Sequence, residues 1–162
     1  MKRRLLSIAC GVMIGVSAQS VLAQVMGAND KPIHDAARMG NGAEIQAILA
    51  VTPSDRDART GLGSTPLHLA ATNPNTSSLK ALVAAGADVN ARDNDGATPL
   101  HMAAYTQHAA HARLLLEAGA DTTVKTHAGR DAMSMARKNM ANEAAGVISL
   151  WILKGCKAGK PC

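Results

Sequence analysis

The sequence predicts an all-α fold, a solenoid of about four helix-turn-helix repeats joined by β-hairpin-like turns. Three observations carry that expectation. Thr65-Pro66-Leu67-His68-Leu69-Ala70-Ala71 recurs further along as Thr98-Pro99-Leu100-His101-Met102-Ala103-Ala104. Gly86-Ala87-Asp88 recurs as Gly119-Ala120-Asp121 at the same offset. The chain has no Phe, one Tyr and one Trp, and is rich in alanine. That composition suits thin, closely packed helical layers better than one thick aromatic core.

Each position in the repeat has a physical role. Thr65 and Thr98 can cap the first helix, and Pro66 and Pro99 take its first position, where a missing N–H costs nothing. Leu67, Ala70 and Ala71, like Leu100, Ala103 and Ala104, fall at i, i+3, i+4 and form a buried stripe. Leu82-Val83 and Leu115-Leu116 bring the second helix into the stack, Gly86 and Gly119 end it, and Asp95-Gly96 turns the chain into the next repeat. On these motifs, and on Gly86-Ala87-Asp88-Val89-Asn90-Ala91 with Gly96 behind it, the sequence resembles the ankyrin-repeat family over residues 31–153. The repeats then fall at about 31–64, 65–97, 98–130 and 131–153.

The outer repeats depart from the pattern, as ends that must meet water on one face do. Ile33-His34-Asp35-Ala36-Ala37 and Ile48-Leu49 stand for the motif in the first, with one extra residue and no Gly-Ala-Asp before Ser64, so a longer or irregular finger is expected there. In the last, Asp131 replaces the capping Thr, and the second helix runs on through Leu150-Trp151-Ile152-Leu153, with Trp151 expected over the open end of the stack. Between the helices, where the resemblance implies Gly, stand Pro74 and Gln107. Proline cannot adopt the left-handed conformation, so Asn73-Pro74-Asn75 is expected to turn differently, with Thr76 capping the next helix.

Residues 1–23 read as a Sec-type signal peptide: basic Lys2-Arg3-Arg4, an apolar run from Leu5 to Ala18, and Val21-Leu22-Ala23 before a cleavage point at Gln24. Arg3-Arg4 belongs to that basic start rather than to a twin-arginine signal, and Cys10 lies too early for lipidation. A periplasmic or secreted protein follows, with a linker at 24–30 and no membrane contact after cleavage. Taking Lys2, Arg3 and Arg4 from seventeen basic residues leaves fourteen against twelve acidic ones, so the pI of 9.4 is no sign of nucleic-acid binding. Cys156 and Cys162 remain in the tail at 154–162, and in an oxidising compartment a disulfide is their natural pairing. Two thiolate metal ligands are the competing reading, without a second pair nearby.

Catalytic arrangements are not visible: there is no G-x-S-x-G, H-E-x-x-H or glycine-rich phosphate loop, so no enzyme activity and no cofactor or metal are expected. His68 and His101 match the structural histidine that the resemblance implies. His108 and His111, at i, i+3, stand with the cysteine pair as an alternative metal- or redox-handling site, although two ligands without a third seldom select a metal. The leading reading is a non-catalytic, monomeric module of the bacterial periplasm that binds a partner protein, an envelope enzyme or a toxin. The resemblance implies a concave face made of the fingers and the first helices. In register there are Arg59, Leu62, Arg92, Asn94, Ala97, Lys125, His127 and Arg130 on the fingers, and Arg38, Met39, Thr72, Asn73, Tyr105, Thr106, Lys138 and Asn139 on the helices. Tyr105 is central, and the basic members gather toward the C-terminal half, which suits an acidic partner.

Overall fold

The structure, a computed structural model, describes residues 29–158. The signal peptide, most of the following linker and Cys162 lie outside them. Among the described residues eight α-helices form four pairs: α1 (Pro32–Met39) with α2 (Gly42–Val51), α3 (Pro66–Ala70) with α4 (Thr76–Ala84), α5 (Pro99–Tyr105) with α6 (Ala109–Glu117), and α7 (Ala132–Lys138) with α8 (Asn142–Leu153). First helices stack on first helices and second on second, so two layers run the length of the molecule. No strand occurs among these residues.

Small side chains set the spacing of the first layer. Ala36, Ala37, Ala70, Ala71, Ala103, Ala104 and Ala136 are buried between helices, and Ile33, Leu67 and Leu100 fill the space below them. Ile45, Leu79, Leu82, Leu115, Leu116 and Ile148 fill the second layer and join it to the first in one apolar cluster. A buried leucine of this kind is worth about 2–5 kcal/mol against alanine.

A histidine ties each of the first three helix pairs to the finger that follows. The backbone N–H of Lys31, Thr65 and Thr98 donates to Nδ1 of His34, His68 and His101 at 2.8, 3.1 and 3.1 Å. Since Nδ1 accepts, the ring proton sits on Nε2, which donates to the carbonyls of Ala58, Ala97 and Arg130 at 3.0, 3.1 and 3.2 Å. Burial pushes the imidazoles of His68 and His101 below their ordinary pKa, in keeping with the neutral form this bonding needs. The threonine hydroxyls lie against Nδ1 of the same ring, at 2.9 Å in both repeats. In α7 the arrangement changes: Asp131 Oδ1 accepts from both the N–H and the hydroxyl of Ser134, at 2.7 Å each.

The fingers at 52–64, 85–97 and 118–130 are of equal length. Of the two expectations for the first, longer or irregular, the second holds: it is no longer than the others but carries a 3₁₀ turn at Pro53–Asp57. The extra residue lies in α2, which has ten residues where α4 and α6 have nine. Each finger tip closes on itself, with N–H of Thr60, Asp93 and Thr126 donating to the carbonyl of Ser64, Ala97 and Arg130. Gly63, Gly96 and Gly129 supply the left-handed residue at φ 75°, 73° and 73°. Adjacent fingers are linked through their backbones, Asn94 N–H to Leu62 at 3.1 Å and His127 N–H to Asp95 at 2.9 Å.

Two local expectations are corrected. Asn75, not Thr76, caps α4, its side chain accepting from Ser77 N–H at 2.9 Å, because Thr76 is already the first helical residue. Trp151 does not cover the open end: it lines a hollow with Arg113 and Glu117 of α6, so it faces back onto the preceding repeat. At the turn between paired helices Gln107 holds φ 65°, and Met140, its counterpart in the next repeat, holds φ 54°. Non-glycine residues thus adopt the left-handed conformation where Pro74 cannot.

Candidate protein-binding surface

Several finger residues expected to meet a partner are engaged within the protein. Arg59 Nη1 donates to the carbonyls of Gly63 and Arg92 at 2.8 and 2.6 Å, and Arg92 Nη2 to that of Lys125 at 2.8 Å, so each guanidinium staples its finger to the next. Asn94 does the same with Gly61 at 3.2 Å. Ala97 is 2 % exposed and cannot be a contact residue, because it lies at the base of its finger where its carbonyl meets His68. Asn73 is also buried: its Nδ2 donates to Ala37 and Gly40 carbonyls at 3.1 and 3.2 Å, and its Oδ1 takes the N–H of Asn75. Asn139 hydrogen-bonds back onto Met135, and Thr106 onto Met102.

What remains open is a row at the ends of the first helices. Arg38, Thr72, Tyr105 and Lys138 hold the same place in the four helix pairs, with Tyr105 56 % exposed and Lys138 exposed, and Met39 beside Arg38 is 80 % exposed. Its members are a guanidinium, a threonine whose hydroxyl donates to the Leu69 carbonyl at 2.7 Å, a phenol and an ammonium. Across from its first members Leu62 projects from the finger, 77 % exposed, above a hollow of about 530 Å³ that Asp30, Arg38 and Leu69 also line. Arg38 is fixed there between Asp30 at 3.4 Å and Asp35 at 3.2 Å. Lys125, His127 and Arg130 are exposed on the last finger, and among the described residues none of the three forms an ion pair.

Residues 27–126 match the family model of ankyrin repeats in three copies. The chain belongs to the ankyrin-repeat family. The ankyrin fold accounts for both layers and for the shared finger register, and ankyrin repeats are protein-interaction modules. The fourth helix pair of this ankyrin chain follows the matched span and continues both layers. Compared with curated proteins, the chain finds no match.

Sequence reasoning misses Leu69 and Asp30. Leu69 fills the variable place in the repeated motif, with Met102 and Met135 in register, and all three are partly exposed beside the buried stripe. The one variable residue within an otherwise fixed motif is the available signal.

The histidine pair behaves differently from the rest. His108 and His111 rings lie 4.8 Å apart at 32°. His111 is 2 % exposed, and its Nε2 has no hydrogen-bond partner. Burial first, and then His108 beside it, lower the pKa of His111. Among the described residues no three His, Cys, Asp or Glu side chains come together as metal ligands. Cys156 follows α8 and is half-buried, while Cys162, expected to pair with it, lies outside the described residues.

Proposed function

We propose that the row Arg38–Thr72–Tyr105–Lys138, with Met39, Leu62 and the exposed cations of the last finger, docks a partner protein outside the cytoplasm without catalysing a reaction on it. The observation that carries this reading is the row itself. It places one side chain of each helix pair at the same position on a backbone held rigid by ring-to-finger and finger-to-finger bonds. A preformed surface avoids the ordering cost that a flexible one would incur on binding. Tyr105 is the anchor, since an exposed tyrosine brings large contact area with few rotatable bonds. Lys125, Arg130 and Lys138 select for acidic groups on the partner, either an envelope enzyme or a toxin.

The reading carries with it the signal peptide at residues 1–23, a monomer, and a disulfide from Cys156 to Cys162 that staples the tail. Pull-down from a periplasmic extract, compared for the natural chain and for Tyr105→Ala with Lys138→Ala, is the direct test. A hot-spot loss of about 2 kcal/mol corresponds to a roughly 30-fold fall in affinity. Recovery of the same partner in equal yield would overturn the assignment of the face, and a chain retained in the cytosol would overturn the compartment.

A further inference from the structure

We propose that the last turn of α8 is a membrane-contacting tip, which enters the headgroup region of an anionic bilayer and is held there by the cations around it. This inference does not rest on the protein-binding face, and it departs from the expectation that the chain leaves the membrane alone once its signal is removed.

The end of α8 is apolar around its circumference. At about 100° per residue, Leu150, Trp151, Ile152 and Leu153 point in four directions. Trp151 is partly buried against the core, while Leu150, Ile152 and Leu153 are 56, 48 and 81 % exposed. A helix that lies in a protein groove or flat along a bilayer shows one apolar stripe, whereas apolar groups on several sides of a single turn suit end-on entry into the headgroup region. Trp151 adds the ring type that favours the boundary between lipid and water. No helix of the described residues is long and apolar enough to cross a membrane, so the contact is one of insertion from the surface.

Charge selects the occupant. Arg113 and Lys154 line the hollow that Leu150 and Trp151 floor, Lys157 follows exposed in the tail, and Glu117 is the one acid in that hollow. Among the described residues Arg113, Lys154 and Lys157 form no ion pair. A second copy would bring the same cations together, and the chain's own first residues carry Lys2, Arg3 and Arg4, so both are disfavoured. An anionic lipid surface satisfies the cations and the apolar turn at once.

Trp151 is the only tryptophan, so its fluorescence reports on the tip alone. The test is co-sedimentation of the full chain with vesicles of phosphatidylcholine, with and without one third phosphatidylglycerol, some carrying brominated acyl chains. Anionic vesicles should bind the chain at least tenfold better than phosphatidylcholine alone, brominated lipid should quench Trp151, and about 0.5 M salt should release most of it. Leu150→Ser with Leu153→Ser should lower binding tenfold or more, with an unchanged far-UV circular dichroism spectrum showing that the fold survives. The apolar leader is the same in both chains, so the difference belongs to the tip. Equal binding by the variant, unquenched Trp151 on bound vesicles, or no preference for anionic lipid would each overturn the proposal. So would binding to an acidic protein with none to vesicles.

Discussion

Replacing His68 by alanine tests the ring-to-finger bond most directly. The ring accepts from Thr65 N–H and donates to the Ala97 carbonyl, and both groups are buried. Alanine leaves the Thr65 N–H without a partner, at about 1–3 kcal/mol, takes from the Ala97 carbonyl one of two donors while Asp93 N–H stays, and removes the packing of the ring as well. The expected loss is about 3–5 kcal/mol. In a domain of this size each kcal/mol shifts Tm by about 4 °C, so thermal unfolding followed by circular dichroism at pH 7.5 should show a drop of roughly 12–20 °C. The same bond predicts a response to acid. Burial holds the folded-state pKa of His68 and His101 below the unfolded value of about 6.5, so the contribution of the neutral rings is complete above that pH. It is lost as pH falls from about 6.5 through the depressed folded value. The natural chain should therefore lose stability across this window, and His68→Ala should show a shallower dependence. A loss below about 1 kcal/mol, or an identical pH dependence in the two chains, would refute the reasoning.

Asn73→Ala should cost about 2–4 kcal/mol in denaturant unfolding, because the Ala37 carbonyl and the Asn75 N–H lose their partner and the Gly40 carbonyl keeps only the Ser78 hydroxyl; a surface contact residue would leave stability unchanged. Gly96→Ala should be more damaging than Gly129→Ala in parallel melts. Both must hold positive φ, at about 1–2 kcal/mol, but only at Gly96 would the new methyl press on Arg92 and His127, at 2.7 and 2.9 Å. Met140→Gly should raise stability by about 1 kcal/mol, since an exposed side chain is exchanged for freedom to adopt φ 54°.

The helical layers are legible in the sequence because their cause is local and repeated. Leu67 and Leu100 stand one repeat apart in the same frame of Thr, Pro and Ala, and periodicity of that kind leaves few alternatives. The surface is harder to read because register places a residue without saying where its side chain goes. Arg92 and Tyr105 are equally plausible contact residues in the sequence, yet a guanidinium long enough to reach the next finger finds the Lys125 carbonyl, whereas the phenol stays in solvent. Asn73 reads as a loop residue because the buried carbonyls that hold it come from Ala37 and Gly40, in the preceding repeat. The extra residue of the first repeat is expected in its finger because nothing in the spacing shows whether a helix or a loop absorbs it.

The replacement of the threonine–histidine pair by Asp131 and Ser134 bears on how such an array can grow. A histidine there would present a donor to be met by a further finger, whereas aspartate and serine complete their bonding among themselves. This unit asks nothing of a successor. A duplicated repeat would therefore be accommodated between existing units, where every ring still meets a carbonyl.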